Sequence, residues 1–209
     1  MRLEQSNVDT ILYHDNGQVW GKRLVSDEEF GGVQCKAGSW VWFHRNGVIS
    51  SLKPVFGIST DGIICRAGMR VSFHENGRLM RCYLPWDDLV QGIPVRSDTF
   101  LLFYDNGTLS ACRLSRDFGG RGILCKEGTW IGFYENGHLK RCVTAEDMTK
   151  EGVLLRAGTW ASFHRNGVLD TYRLPEEAII QGMRCSAGDI LVFDEMGKIS
   201  ERIKPLIHT

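Results

Sequence analysis

The sequence predicts an all-β protein, a tandem array of seven β-hairpin repeats in an open, solenoid-like stack. The first observation is a short motif that returns every thirty residues along the 209-residue chain. The second is the lack of any segment whose apolar residues keep a helical period long enough to form a stable helix. Self-similarity at a fixed spacing is the signature of a repeat architecture, so we expect a single repeat domain over residues 1–209.

The motif consists of an aromatic residue, two polar residues, Asn-Gly, and an aliphatic residue two places after the glycine. It is clearest at residues 43–49, Phe-His-Arg-Asn-Gly-Val-Ile. Copies follow at residues 73–79, 103–109, 133–139 and 163–169, with weaker copies at residues 13–19 and 193–199. Asn-Gly tolerates the positive φ angles of a type I′ turn, so each copy predicts an antiparallel hairpin with such a turn.

One face of each hairpin is predicted to be buried. Val41 and Phe43 stand two places apart before the turn, and Ile49 follows it. Residues two apart on a strand share a face. The same positions are apolar in the later regular repeats: Val71, Phe73, Leu79, Leu101, Phe103, Leu109, Ile131, Phe133, Leu139, Ala161, Phe163 and Leu169.

Each repeat also carries a strand upstream of the motif. In the second repeat Val33 and Cys35 belong to it, and the pair Ala37-Gly38 then predicts a second tight turn. The segment after the motif, such as residues 84–91, contains a proline and is predicted to be a loose connection. We therefore expect three short strands in each repeat.

The terminal repeats depart from the pattern. Residues 1–30 lack the upstream cysteine and the Ala-Gly pair, and in residues 181–209 Met196 replaces the turn asparagine. End repeats of an open array differ because one side has no neighbour. We interpret both segments as degenerate capping repeats around five regular repeats at residues 31–180. A seven-bladed, propeller-like ring is the alternative, although thirty residues are few for a four-stranded blade.

The motif Phe-[His/Tyr]-x-Asn-Gly-x-[Leu/Ile] resembles the hairpin repeats of the MORN superfamily. It is most similar to the variant found in bacterial YwqK-type antitoxin proteins, and residues 73–79 and 133–139 carry the resemblance. The resemblance implies an array of β-hairpins that contacts other proteins, neutralises a toxin or serves as a scaffold near membranes. This chain has a longer repeat than the family and adds a Gly-[Ile/Val]-x-Cys-x-Ala-Gly segment.

Composition narrows the classes of partner. Lys and Arg together number 25, as do Asp and Glu, so the formal net charge is zero. Nucleic-acid binding usually needs a basic excess, so we expect no nucleic acid as a partner. The N-terminal residues lack the basic head and apolar run of a signal peptide, and the chain has no run of about eighteen apolar residues that could span a membrane. These features predict a cytoplasmic protein.

The seven cysteines are interpreted as core residues, with a functional thiol or metal role as the alternative. Cys65 and Cys82 could face each other, as could Cys125 and Cys142, but Val95 fills the same column as a small hydrophobic residue. The chain has no Cys-x-x-Cys pair, and histidines of one column stand about 10 Å apart, too far to share a zinc ion. We expect no metal, no cofactor and no catalytic residue.

Tryptophan supplies the candidate site. One column stands a single place before the buried Val41 column and should therefore point to the opposite face of the sheet. The candidate binding residues on that face are Trp40, Trp42, Arg70, Phe100, Trp130 and Trp160. A further layer of the solenoid could cover this face, or it could form an exposed aromatic stripe of the kind that marks binding sites.

The predicted function is a non-enzymatic scaffold for protein–protein interaction, with the aromatic stripe as the surface that meets a protein partner. The family resemblance implies an antitoxin-like or immunity-like form of this function. A carbohydrate-binding module is the alternative, in which the same side chains stack on sugar rings. A third interpretation is a structural segment of a larger assembly whose end repeats mediate stacking.

Overall fold

The structure, a computed structural model, describes residues 10–120 and 122–205, and every helix or strand in these ranges is a β-strand. Strands are numbered along the chain, and fourteen of them form one antiparallel sheet, here called the large sheet. In spatial order they are β1 (Thr10–Tyr13), β2 (Val19–Arg23), β5 (Trp40–Phe43), β6 (Ile49–Leu52), β9 (Val71–Phe73), β10 (Leu79–Tyr83), β13 (Phe100–Phe103), β14 (Leu109–Arg113), β17 (Trp130–Phe133), β18 (Leu139–Val143), β21 (Trp160–Phe163), β22 (Leu169–Arg173), β25 (Ile190–Phe193) and β26 (Ile199–Ile203).

The other twelve strands form six two-stranded antiparallel hairpins, here called the small hairpins. They pair β3 (Glu28–Phe30) with β4 (Val33–Cys35), β7 (Ile58–Thr60) with β8 (Ile63–Cys65), β11 (Asp88–Val90) with β12 (Ile93–Val95), β15 (Phe118–Gly120) with β16 (Ile123–Cys125), β19 (Met148–Lys150) with β20 (Val153–Leu155), and β23 (Ala178–Ile180) with β24 (Met183–Cys185). A regular repeat thus has four strands. The expectation of three strands and a loose connection is wrong, because the connection contains the first strand of a small hairpin.

The strand order confirms an open array of hairpins. Among the described residues, the two end strands β1 and β26 are not paired with each other. A propeller would consist of separate blades, so the ring alternative is wrong. Contacts group the chain into a first unit, residues 1–88 with 97–108, and a second unit, residues 89–96 with 109–209. The single domain with capping repeats stays a prediction.

Type I′ turns occur in the small hairpins. Asp61 and Gly62, between β7 and β8, both have positive φ angles, of 49° and 74°. Two consecutive positive φ angles in a two-residue loop define this turn, whose twist matches that of the flanking strands. The same pattern recurs at Gln91-Gly92, Glu151-Gly152 and Gln181-Gly182. The glycines of this column are therefore turn residues.

The Asn-Gly turns have a different geometry, and the type I′ prediction for them is wrong. Gly77 has a φ of 82°, and its N–H donates to the carbonyl of His74 at 2.9 Å. The N–H of His74 donates in turn to the carbonyl of Arg78, which closes a three-residue loop. Such loops adopt a type I turn followed by a left-handed glycine. Asn76 keeps a negative φ, and its Oδ1 accepts the N–H of Arg78 at 3.0 Å.

The small hairpins pack on one face of the large sheet, here called the inner face. Leu24, Cys35, Val41 and Leu52 form a core there and are at most 2% exposed. Equivalent residues of later strands are at most 1% exposed: Val71, Leu101, Ile131, Ala161 and Leu191. The predicted buried face is confirmed, and burial of its apolar side chains is the main favourable term in folding.

Charged residues enter the inner face in the first and last hairpins of the large sheet. The Nζ of Lys22 donates to the carboxylate of Glu28 at 2.7 Å. Arg202 lies 2.6 Å from the Oδ2 of Asp189, a carboxylate that is only 1% exposed. Buried charges need such partners because their desolvation is costly.

Candidate binding face

The opposite face of the large sheet, here called the outer face, carries the predicted site residues. Trp40 and Trp42 flank the buried Val41 on β5 and therefore point away from the core. The corresponding positions of later repeats hold Arg70, Phe100, Trp130 and Trp160. The small hairpins pack on the inner face, and the described chain contains no other element that covers the outer face.

Three tryptophans form a cluster on the outer face of the first unit, here called the tryptophan cluster. The rings of Trp40 and Trp42 are stacked, with centroids 5.0 Å apart and an interplanar angle of 15°. Trp20 lies 5.2 Å from Trp42 in a tilted contact and is 47% exposed. Stacked and tilted pairs are favourable arrangements of aromatic rings, so the chain holds this apolar surface ready-formed.

Gly21 leaves the space that the Trp42 ring of the tryptophan cluster occupies. It lies opposite Trp42 in the pairing of β2 with β5, and a Cβ atom there would stand 2.7 Å from two ring carbons of Trp42. Any side chain at this position would push the indole ring off the sheet. Neither Gly21 nor Trp20 was among the predicted site residues. The signal for Trp20 was its place directly after the inward-facing Val19.

The tryptophan cluster contains an unsatisfied hydrogen-bond donor. The indole N–H of Trp42 is buried and has no acceptor in the described part of the chain. An unsatisfied buried donor costs about 1–3 kcal/mol. The stacking of Trp42 on Trp40 and the burial of its ring over Gly21 offset this cost. An aliphatic residue would avoid the cost altogether, so stability alone does not explain a tryptophan here.

A second aromatic group on the outer face of the first unit includes a cation. The guanidinium carbon of Arg81 lies 3.9 Å from the centroid of the Phe100 ring and 5.9 Å from that of Tyr83. Tyr83 lies opposite Phe100, and the two rings meet edge to face. Cation–π contacts at exposed sites contribute about 0.5–1 kcal/mol. Arg81 was missed because its contact with Phe100 depends on the register between two repeats.

The two tryptophans of the second unit lie apart. Trp130 on β17 and Trp160 on β21 are separated by β18, which places them about 10 Å apart across two strand spacings. Trp130 lies opposite Arg113, and Trp160 lies opposite Val143. Trp160 is 50% exposed. These two members of the predicted column are therefore not direct neighbours, in contrast to the rings of the tryptophan cluster.

Histidine and asparagine side chains join successive turns. The Nε2 of His44 lies 2.9 Å from the carbonyl oxygen of Phe73, and the Nδ2 of Asn46 donates to the carbonyl of Glu75 at 2.9 Å. The contact of His44 recurs at His14, His74, Tyr134 and His164. Within residues 10–120 and 122–205 no group of three or more His, Cys, Asp or Glu side chains could hold a metal ion. The histidine column thus bonds one repeat to the next.

All seven cysteines are free and buried. A thiol–thiol hydrogen bond to Cys65, together with burial, raises the pKa of Cys82 far above its ordinary value, and Cys125 affects Cys142 in the same way. Burial raises the pKa of Cys112 to about 12. A protonated, buried thiol is a poor nucleophile. The interpretation of the cysteines as core residues is confirmed, including the two facing pairs.

One apolar groove of the first unit has no acid, base or thiol in its lining. It has a volume of about 280 Å³ and lies among Phe30, Ile49, Ile58 and Phe73. Its other lining residues are apolar, glycine or hydroxyl-bearing, so it holds no acid, base or thiol. No helix in the described chain is long and apolar enough to cross a membrane.

The open sheet, the stacked turns and the uncovered outer face define a β-hairpin repeat scaffold. A family model described as a MORN repeat variant matches residues 126–147, which include β17, its Asn-Gly turn and β18. Together with the repeated hairpins, this match makes the chain a MORN-like repeat protein and confirms the resemblance. MORN repeats are generally interaction modules that contact proteins or membrane lipids. A search of curated proteins finds no match to this chain.

Proposed function

We propose that the protein is a non-enzymatic scaffold whose outer face binds a protein partner. The tryptophan cluster is the observation that carries this proposal, because tryptophan and arginine are enriched at the centres of protein interfaces. Trp160, half exposed, adds a second anchor on the same type of face. An antitoxin-like or immunity-like role is the form that the YwqK-type resemblance suggests. The seven free thiols support a reducing, cytoplasmic location.

Carbohydrate binding is the competing proposal, and the ring geometry favours Trp160 over the tryptophan cluster as its site. A sugar needs a flat indole face that is open to solvent. Trp42 is stacked on Trp40 and lies over Gly21, so it presents little free face. Trp160 is the better candidate for stacking on a sugar because half of its surface is exposed. The tryptophan cluster itself is better suited to a protein side chain inserted beside its tilted rings.

Affinity capture from a lysate of the source organism tests the protein-binding proposal. The baits are the wild-type chain, a Trp40→Ala, Trp130→Ala, Trp160→Ala variant, and Trp86→Ala as a matched control. Trp86 is 56% exposed but lies in the connection between β10 and β11, outside the strands of the large sheet. Far-ultraviolet circular dichroism checks that every bait is folded. We expect the wild type and the control to retain a protein that the triple variant loses.

A repeat of the capture with mixed free sugars separates the two proposals. A protein that stays bound in the presence of sugar supports a protein interface, and its identity decides the antitoxin-like form. Release by sugar would assign the face to carbohydrate. Equal capture by all three baits would reject the outer face as the binding surface.

A further inference from the structure

The outer face of the first unit is basic, although the chain as a whole carries no net charge. The seven large-sheet strands of this unit contain no Asp or Glu. Arg23, Lys53 and Arg70 are exposed, and Arg81 is half-buried against Phe100. The large-sheet strands of the second unit, by contrast, include Asp170 and Glu201.

The exposed cations of this face have no counter-ion among residues 10–120 and 122–205. In the described ranges no carboxylate pairs with Arg23, Lys53 or Arg70. The register of β6 with β9, in which Leu52 lies opposite Val71, leads to Lys53 and Arg70 at neighbouring positions. Like charges side by side on a sheet are destabilising. An anion bound between them would remove that repulsion.

Four carboxylates of the first unit stand in turns next to the large-sheet strands. Asp15, Glu75 and Asp105 stand in the Asn-Gly turns, and Asp98 stands in the turn before β13. A nucleic-acid strand carries a charge on every nucleotide and would meet these acids as it left the basic centre. An acidic protein segment can place its charges over the cations alone, which is the complementarity that gives an interface its specificity.

We propose that the outer face of the first unit binds an acidic protein segment. Its carboxylates pair with Arg23, Lys53 and Arg70, and an apolar side chain between them packs against Trp40, which lies opposite Arg23. This inference rests on the proposed function and names the chemistry of the partner. Arg23 and Lys53 occupy equivalent positions two strands apart, a distance of about 10 Å. At about 3.3 Å per residue, an extended segment that crosses the strands therefore carries an acid at about every third residue.

Direct binding of synthetic peptides to the full chain tests this inference. The probe is a fluorescent peptide of Glu-Leu-Ser repeats, and its control has Gln in place of Glu. Fluorescence anisotropy measures binding to the wild type and to an Arg23→Ser, Lys53→Ser, Arg70→Ser variant. The matched control variant is Lys140→Ser, Arg141→Ser, Arg173→Ser, which removes three exposed cations from the second unit and changes the net charge equally.

We expect the acidic peptide to bind the wild type and the second-unit variant alike, and the first-unit variant about tenfold more weakly. Equal weakening by both variants, or equal binding of the Gln peptide, would show unspecific attraction and overturn the inference. Tighter binding of an oligothymidine strand or of phosphatidylserine vesicles through the same three cations would also overturn it. An acidic peptide that does not bind, while tryptophan-dependent capture persists, rejects this inference and leaves the proposed function standing. If the acidic peptide does not bind and the tryptophan-dependent capture is also absent, both the inference and the proposed function are rejected.

Discussion

The inner and outer faces of the large sheet show opposite uses of the same repeat. Along the inner face one position holds Val41, Val71 and Leu101 in turn, each fully buried beneath the small hairpins. Its neighbour on the outer face holds Trp40, Arg70 and Phe100, which differ in size and charge. Inner residues must fit between two layers, whereas outer residues meet only the side chains of adjacent strands. The repeat therefore constrains the inner face and leaves the outer face free to vary from strand to strand.

The largest difference between the faces is expected at two adjacent leucines of β13. Leu101 is 0% exposed on the inner face, while Leu102 lies half-buried on the outer face. Leu101→Ala should lower the free energy of unfolding by about 3 kcal/mol, because it removes buried surface and leaves a cavity. Leu102→Ala should lower it by less than about 1 kcal/mol. Urea denaturation measures both values, and equal losses would contradict the assignment of the faces.

Substitutions of Gly21 and Gly132 test whether a residue on the outer face can also be essential to packing. Gly21→Val should destabilise the chain by about 2 kcal/mol, because the new Cβ atom meets the Trp42 ring. Gly132 is the matched position in the second unit, where a Cβ atom would meet the Cγ of Arg141 at 3.2 Å. The exposed Arg141 chain can move aside, so Gly132→Val should cost less.

Near-ultraviolet circular dichroism provides the second readout for the glycine pair. Gly21→Val should reduce the signal of the stacked Trp40 and Trp42 rings, and Gly132→Val should leave it intact. An unchanged indole signal in a folded Gly21→Val protein would show that the tryptophan cluster does not depend on the glycine.

The Asn-Gly turn lies at the edge where both faces end. Gly77 has a φ of 82°, and the nearest atom to an added Cβ, from Val48, would be 3.9 Å away. Space is therefore not limiting, and a substitution tests the backbone alone. Gly77→Val should cost about 1–2 kcal/mol, because a β-branched residue resists this φ angle. Gly77→Asn should cost less, since asparagine tolerates the left-handed region. Thermal unfolding compares the wild type with both variants. A melting temperature of Gly77→Val equal to that of the wild type would show that this turn does not require glycine.

The smallest effect concerns the buried thiols of the inner face. Burial raises the pKa of Cys112 from 9.0 to about 12 in the folded chain. Above pH 9 the unfolded chain therefore binds fewer protons at this residue than the folded chain, so stability falls as pH rises towards 12. We expect Cys112 to contribute a loss of about 1 kcal/mol by about pH 10. A Cys112→Val protein should lose correspondingly less, and parallel curves for the two proteins would contradict the shift.

The positions of the hairpins and of the buried face could be predicted from local signals. Asn-Gly marks each loop, and residues two apart on a strand share a face wherever that strand packs. The turn type was predicted wrongly, because the loop between His74 and Arg78 holds one residue more than a type I′ turn. Strand β7 was missed because its three residues Ile58–Thr60 are too short to show an alternating pattern.

By itself, the sequence determined the repeat period, the all-β class and the residues that fill the core, because each depends on neighbours along the chain. Only the tertiary structure decided which side chains of one repeat contact the next repeat. It set Trp42 over Gly21, Arg81 against Phe100, and His44 on the carbonyl of Phe73, all across strands of different repeats. Such contacts depend on the register between strands and on local bulges, and a shift of one residue would send every side chain to the other face.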